Sequence, residues 1–132
     1  MNFTTGRMNA LCQQLLDPYD LSLPQWVILS CLWRDGPLTV GTLADLVGTG
    51  VPAASRIVDR MVERDLVARQ RHRTDGRAMV VIPTERGQAL DHLADFHERV
   101  NAVLFDGLTA EECEQAFDLL RRMQANAEGA LR

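Results

Sequence analysis

Asp75-Gly76 stands between two β-rich runs, LVARQRH (66–72) and RAMVVIP (77–83), in a chain whose remaining pattern is helical. An Asp-Gly pair between strand-like runs is the strongest short-range hairpin signal, because both turn positions need positive φ. The chain is therefore predicted to be mainly α with one small β-hairpin, and the helices around that hairpin decide the architecture.

Apolar spacing predicts a short first helix over 3–17, with Met8, Leu11, Cys12, Leu15 and Leu16 in register and Pro18 stopping it. Ser22 is the expected N-cap of a second helix, with Gln25 in capping-box position and Pro24 tolerated in the first turn. That helix, PQWVILSCLWRD, is apolar nearly all round and should be central; Gly36-Pro37 ends it. Thr39 caps a third helix, Gly48 closes it, and the short link Thr49-Gly50 leads into a fourth, VPAASRIVDRMVERD. After the hairpin the chain reads as helix again from Thr84, with Leu90, Leu93, His97, Val100 and Leu104 on one stripe until Gly107. Thr109 and Glu112 form a capping box for a last helix. Two helices on a short glycine-containing turn, followed directly by a hairpin, make a winged helix-turn-helix with flanking dimerisation helices.

Charge is unevenly spread along this plan. All 14 basic residues are arginine, and the net charge is −4. Yet residues 56–77 hold seven arginines against four acids. An acidic body with a basic patch steers that patch toward a polyanion. At about 100° per residue, Ala54, Ile57, Val58 and Met61 fall within one arc of the fourth helix, the width of a buried face. Arg56, Arg60 and Arg64 form a stripe on the other side, suited to a DNA major groove; Asp59 and Glu63 interleave with it as intrahelical partners. Arg71, His72, Arg73 and Arg77 surround the hairpin tip, where arginines suit phosphates and the minor groove. Asp75 and Gly76 are expected to structure that turn.

Other chemistries lack residues. The three histidines are scattered, no His/Cys/acid group has metal-ligand spacing, and no phosphate-cradling or nucleophile motif occurs. No enzyme, cofactor or metal is expected. No apolar run is long enough for a transmembrane helix, the N-terminus lacks a secretory apolar region, and Cys12, Cys31 and Cys113 are far apart and odd in number. Reduced thiols in a cytoplasmic protein are the expectation.

The spacing D-x-R, a strand, then T-x-x-G is more specific. Here it reads Asp75-Gly76-Arg77, AMVVIP, Thr84-Glu85-Arg86-Gly87, preceded by LSLPQWVILSCL, LTVGTLADLVG and RIVDRMVERDLVAR. In these segments the chain resembles the MarR (multiple antibiotic resistance regulator) family of winged-helix transcriptional regulators. The resemblance implies a single domain over 1–132, with dimerisation helices at 1–20 and 85–132 and a DNA-binding lobe at 21–84. It implies a homodimer on a palindromic double-stranded operator, with repression released by a small ligand or by oxidation. Carried over by position, Pro52, Ala53, Ser55 and Arg56 meet bases and Arg77 sits at the wing; Thr39, Arg60, Arg71, His72 and Arg73 complete the expected DNA-facing set. Tyr19, Trp26 and Trp33 are the aromatic candidates for an effector pocket. The fourth helix opens Val51-Pro52-Ala53-Ala54 where relatives usually carry Ser and Thr, so few groups there can hydrogen-bond base edges. Two alternatives fit parts of the chain: a winged-helix protein-interaction module without operator binding, and a thiol-based redox-sensing regulator using Cys12.

Overall fold

The computed structural model describes residues 2–71 and 79–131. They form, in order, α1 (Asn2–Leu16), α2 (Leu23–Asp35), α3 (Val40–Val47), α4 (Val51–Glu63), strands β1 (Val67–Arg71) and β2 (Met79–Pro83), α5 (Glu85–Gln88), α6 (Phe96–Leu104) and α7 (Ala110–Ala130). The chain divides into two compact units, Met1–Phe96 and His97–Arg132.

In the first unit, local capping chemistry sets the helix limits. Pro18 lies in a 3₁₀ turn, Asp17–Tyr19, after α1, and Asp20 follows in the left-handed region at φ 54°. Ser22 Oγ accepts from Gln25 N while Ser22 N donates to Gln25 Oε1, which completes the capping box of α2. Gly36, at φ 80°, closes α2, and Gly48, at φ 82°, closes α3. Thr39 Oγ1 accepts from Thr42 N at the start of α3.

The core lies between α2, α3, α4 and the hairpin. Ile28, Leu29 and Leu32 of α2, Leu43 of α3, and Ala54, Val58 and Met61 of α4 are buried. The predicted inner arc of α4 therefore faces the core, with Ile57 half-buried at its edge. The strands pair antiparallel from Val67 opposite Pro83 to Arg71 opposite Met79. Pro83 sits at the strand end, where its missing N–H costs no ladder bond. Leu38, ahead of α3, adds a bridge the sequence did not announce: it exchanges backbone hydrogen bonds with Val81 at 3.3 and 2.7 Å. The wing is thereby stitched to the entrance of the helix-turn-helix.

The segment after Thr84 differs from the continuous helix expected there. It is a short α5, a 3₁₀ stretch Asp91–Asp95, and then α6. Two tryptophans of α2 explain the break. The Trp33 indole N–H donates to the Gly87 carbonyl at 3.1 Å, and that of Trp26 to the Leu93 carbonyl at 2.9 Å. Carbonyls held from outside, with i→i−3 bonds at Leu90 and Leu93, replace a regular helical ladder.

Gly87 explains T-x-x-G physically. A Cβ built at Gly87 would lie 2.0 Å from the Leu66 carbonyl oxygen, a contact no side chain can make. Thr84 locks the approach: its Oγ1 donates to Asp65 O at 2.6 Å and accepts from Gly87 N at 3.1 Å, and its N–H donates to Leu66 O at 3.0 Å.

In the second unit, Thr109 and Glu112 form the expected capping box of α7. Phe105 and Phe117 pack at 5.0 Å between ring centroids. None of the described residues of α7 is buried; Leu119, Leu120 and Met123 are exposed.

Candidate nucleic-acid interface

Helix α4 carries the candidate surface, and its charges are paired differently from an isolated amphipathic helix. Asp59 does not serve the arginines of its own helix. It takes Arg69 of β1, with Nη1 to Oδ1 at 2.6 Å. Arg69 Nη2 also reaches Ser55 O and Ser55 Oγ, each at 3.4 Å. One guanidinium thus fastens the first wing strand along the flank of α4.

Arg64, at the end of α4, is drawn back onto the body. Its Nη1 donates to Gln25 Oε1 at 3.1 Å, and its Nη2 lies 3.2 Å from Asp20 Oδ2. The same Gln25 oxygen caps α2, so one amide couples the start of α2 to the end of the fourth helix. Of the three-arginine stripe, Arg56 and Arg60 remain exposed and make no ion pair with a described residue. Two cations facing water from a helix backed by a rigid core form a surface ready for a polyanion.

The other expected contacts have varied settings. Pro52 is exposed and Ala53 half-buried at the start of α4. Ser55 is half-buried beside Arg69. Thr39 is half-buried, and its hydroxyl both caps α3 and donates to Thr42 Oγ1 at 3.0 Å. Arg71 is exposed at the end of β1. His72, Arg73, Asp75, Gly76 and Arg77 lie outside the described residues. Sequence reasoning missed Arg69, whose role depends on a strand–helix pairing with no local signature.

The aromatic candidates sit around α2. Trp26 is buried, with its ring 4.9 Å from that of Phe96. Trp33 is half-buried, and both indoles hold carbonyls as described. Tyr19, half-buried, packs edge-on against His92 at 5.6 Å. A polar cavity of about 300 Å³ lies nearby, lined by Gln13, Asp17, Asp20, Leu21, Ser22, Gln25 and Arg64. Cys31 is buried, whereas Cys12 and Cys113 are half-buried. Burial pushes the Cys12 thiol above its ordinary value, although a backbone hydrogen bond partly opposes this. Among the described residues no group of His, Cys, Asp or Glu could hold a metal ion, and no helix is long and apolar enough to cross a membrane.

Comparison with known proteins agrees with this geometry. Residues 21–79 match the model of the MarR family. The PcaV transcriptional regulator of Streptomyces coelicolor, solved with its natural ligand, is 25% identical with a TM-score of 0.77, over 94% of this chain and 91% of that one. BpsR of Bordetella bronchiseptica, whose DNA binding is regulated by 6-hydroxynicotinic acid, is 25% identical with a TM-score of 0.81, over 93% and 89%. A mutant MarR from E. coli, complexed with operator DNA, shares the fold at 22% identity and a TM-score of 0.81, over 92% and 89%. These neighbours are regulators rather than enzymes. The helix-turn-helix, the stitched wing, the Thr84–Gly87 lock and the match of residues 21–79 together make the chain similar to MarR-family winged-helix transcriptional regulators.

Proposed function

We propose that the chain is a homodimeric, sequence-specific DNA-binding regulator that represses transcription until a small-molecule effector releases it. The observation carrying this reading is the Arg69–Asp59 bond. Arg69 takes up Asp59, while Arg56 and Arg60 stay outward on a helix held against the wing. In this reading α4 enters the major groove, with Arg56 at base edges, and Arg71 supplies electrostatics at the base of the wing. Residues 21–84 form the DNA-binding lobe, and 1–20 with 85–132 the dimerisation helices, all within a cytoplasmic protein of one functional domain.

The neighbours support DNA binding and its control by a small molecule: one was solved on operator DNA, one with a ligand, and one has its DNA binding regulated by a small acid. The exposed apolar residues of α7 support association, since an uncovered stripe of that kind is suited to a second copy. Tyr19, Trp26 and Trp33 are the proposed effector-side aromatics. The test is selection of bound duplexes from a random DNA pool at moderate salt. A palindromic consensus is expected, and recovery of unrelated sequences would contradict the proposal.

A further inference from the structure

The start of α4 poses a specific problem for base recognition. Gly50 is its N-cap and offers no side-chain hydrogen bond, and the first turn contains no acid. Ser55, the one hydroxyl residue of the helix, is half-buried and already accepts from Arg69. What faces water ahead of Arg56 is apolar: Val51 is 53% exposed, and Pro52 is exposed. Pro52 and Arg56 are four residues apart and therefore neighbours on one face. Apolar groups presented to a major groove find one base-specific partner, the C5 methyl of thymine, because the other base edges there are hydrogen-bonding groups.

Building on the DNA-binding reading, we infer that Val51 and Pro52 are specificity-determining residues. They read thymine by packing on its C5 methyl, next to a base held by Arg56. The occupant is duplex DNA, on the complementarity of Arg56 and Arg60 to phosphate and bases. The thymine preference thus comes from exposed carbon in place of the absent hydrogen-bonding groups.

The test takes the best duplex from a random-pool selection and replaces each thymine, one at a time, by deoxyuridine, which lacks only the methyl. The full-length wild-type chain should lose roughly fourfold in affinity at one or more positions per half-site, the effect of removing one buried methyl. That loss should vanish in Val51→Ser or Pro52→Ser, each checked by an unchanged thermal midpoint. A duplex indifferent to methyl removal, or a loss that persists undiminished in both variants, overturns the inference while leaving DNA binding intact. Failure of the pool to yield any preferred duplex overturns the DNA-binding reading and this inference with it. Should one variant lose its fold, the wild-type scan together with the other variant decides.

Discussion

Arg69 Nη1 and Asp59 Oδ1 lie 2.6 Å apart, joining the first wing strand to the fourth helix across ten residues of sequence. Both side chains retain solvent access, Arg69 at 30% and Asp59 at 57%. Screening therefore limits what the bond adds to stability, and its larger consequence is orientation. Arg69→Ala should lower unfolding free energy by about 0.5–1 kcal/mol, and a double-mutant cycle with Asp59→Ala should give a coupling of about 0.2–1 kcal/mol. Chemical denaturation of the four proteins checks both values. A coupling indistinguishable from zero would remove the bond from the account.

Gly87→Ala should be far more damaging. Its Cβ would collide with backbone, the Leu66 carbonyl oxygen, so the Thr84–Gly87 lock must open or the strand must shift. A loss above about 2 kcal/mol is expected, in the range of overpacked core sites. Gly6→Ala in α1 is the control, since nothing lies within 4 Å of its Cβ. That substitution should stabilise the helix by about 0.5–1 kcal/mol. Denaturation midpoints of the two variants should move in opposite directions.

Arg56 and Arg71 should separate by the kind of binding they support. Arg56→Ala is expected to cost about 1–3 kcal/mol on the preferred duplex and to relax the preference at one base position. Arg71→Ala should weaken preferred and random duplexes alike, and reduce the slope of log affinity against log salt by about one. Salt titrations on both duplexes read out the difference. Equal losses on both duplexes for both variants would contradict these roles.

Cys12 should react slowly with alkylating reagents at neutral pH. Its thiol is pushed up by burial, so the reactive thiolate is scarcer at pH 7 than in an unfolded chain. The rate should keep rising with pH beyond the point where a free thiol levels off. Fast alkylation near neutrality would favour a redox role.

Removing residues 109–132 should abolish the proposed homodimer. The truncated chain loses the whole of α7 together with its Thr109–Glu112 cap. Light scattering should find monomer or aggregate, with only weak, salt-sensitive DNA affinity. A truncated chain that remains dimeric would place association elsewhere.

What the sequence made legible was mostly local. The Ser22–Gln25 and Thr109–Glu112 boxes, the Thr39 cap and the glycine stops of α2 and α3 involve groups within a few residues of one another, so spacing alone located them. The buried arc of α4 was readable for the same reason, since 3.6-residue periodicity reports one face. The break after Thr84 was not, because the indoles that hold it come from residues 54 and 67 positions away. Asp59 looked like a partner for arginines of its own helix, and the register of β1 supplied Arg69 instead. Long-range hydrogen bonds redirected what local periodicity left undecided.

The most direct measurement of the central claim is the ratio of dissociation constants for the selected duplex and a scrambled duplex of equal length and composition, at fixed moderate salt. Sequence-specific regulators bind their sites roughly 10³-fold or more tighter than random DNA. With Arg56 and the apolar start of α4 reading bases, that ratio should reach at least about 10³ for this chain. A ratio near one, with tight binding to both duplexes or to neither, would contradict it.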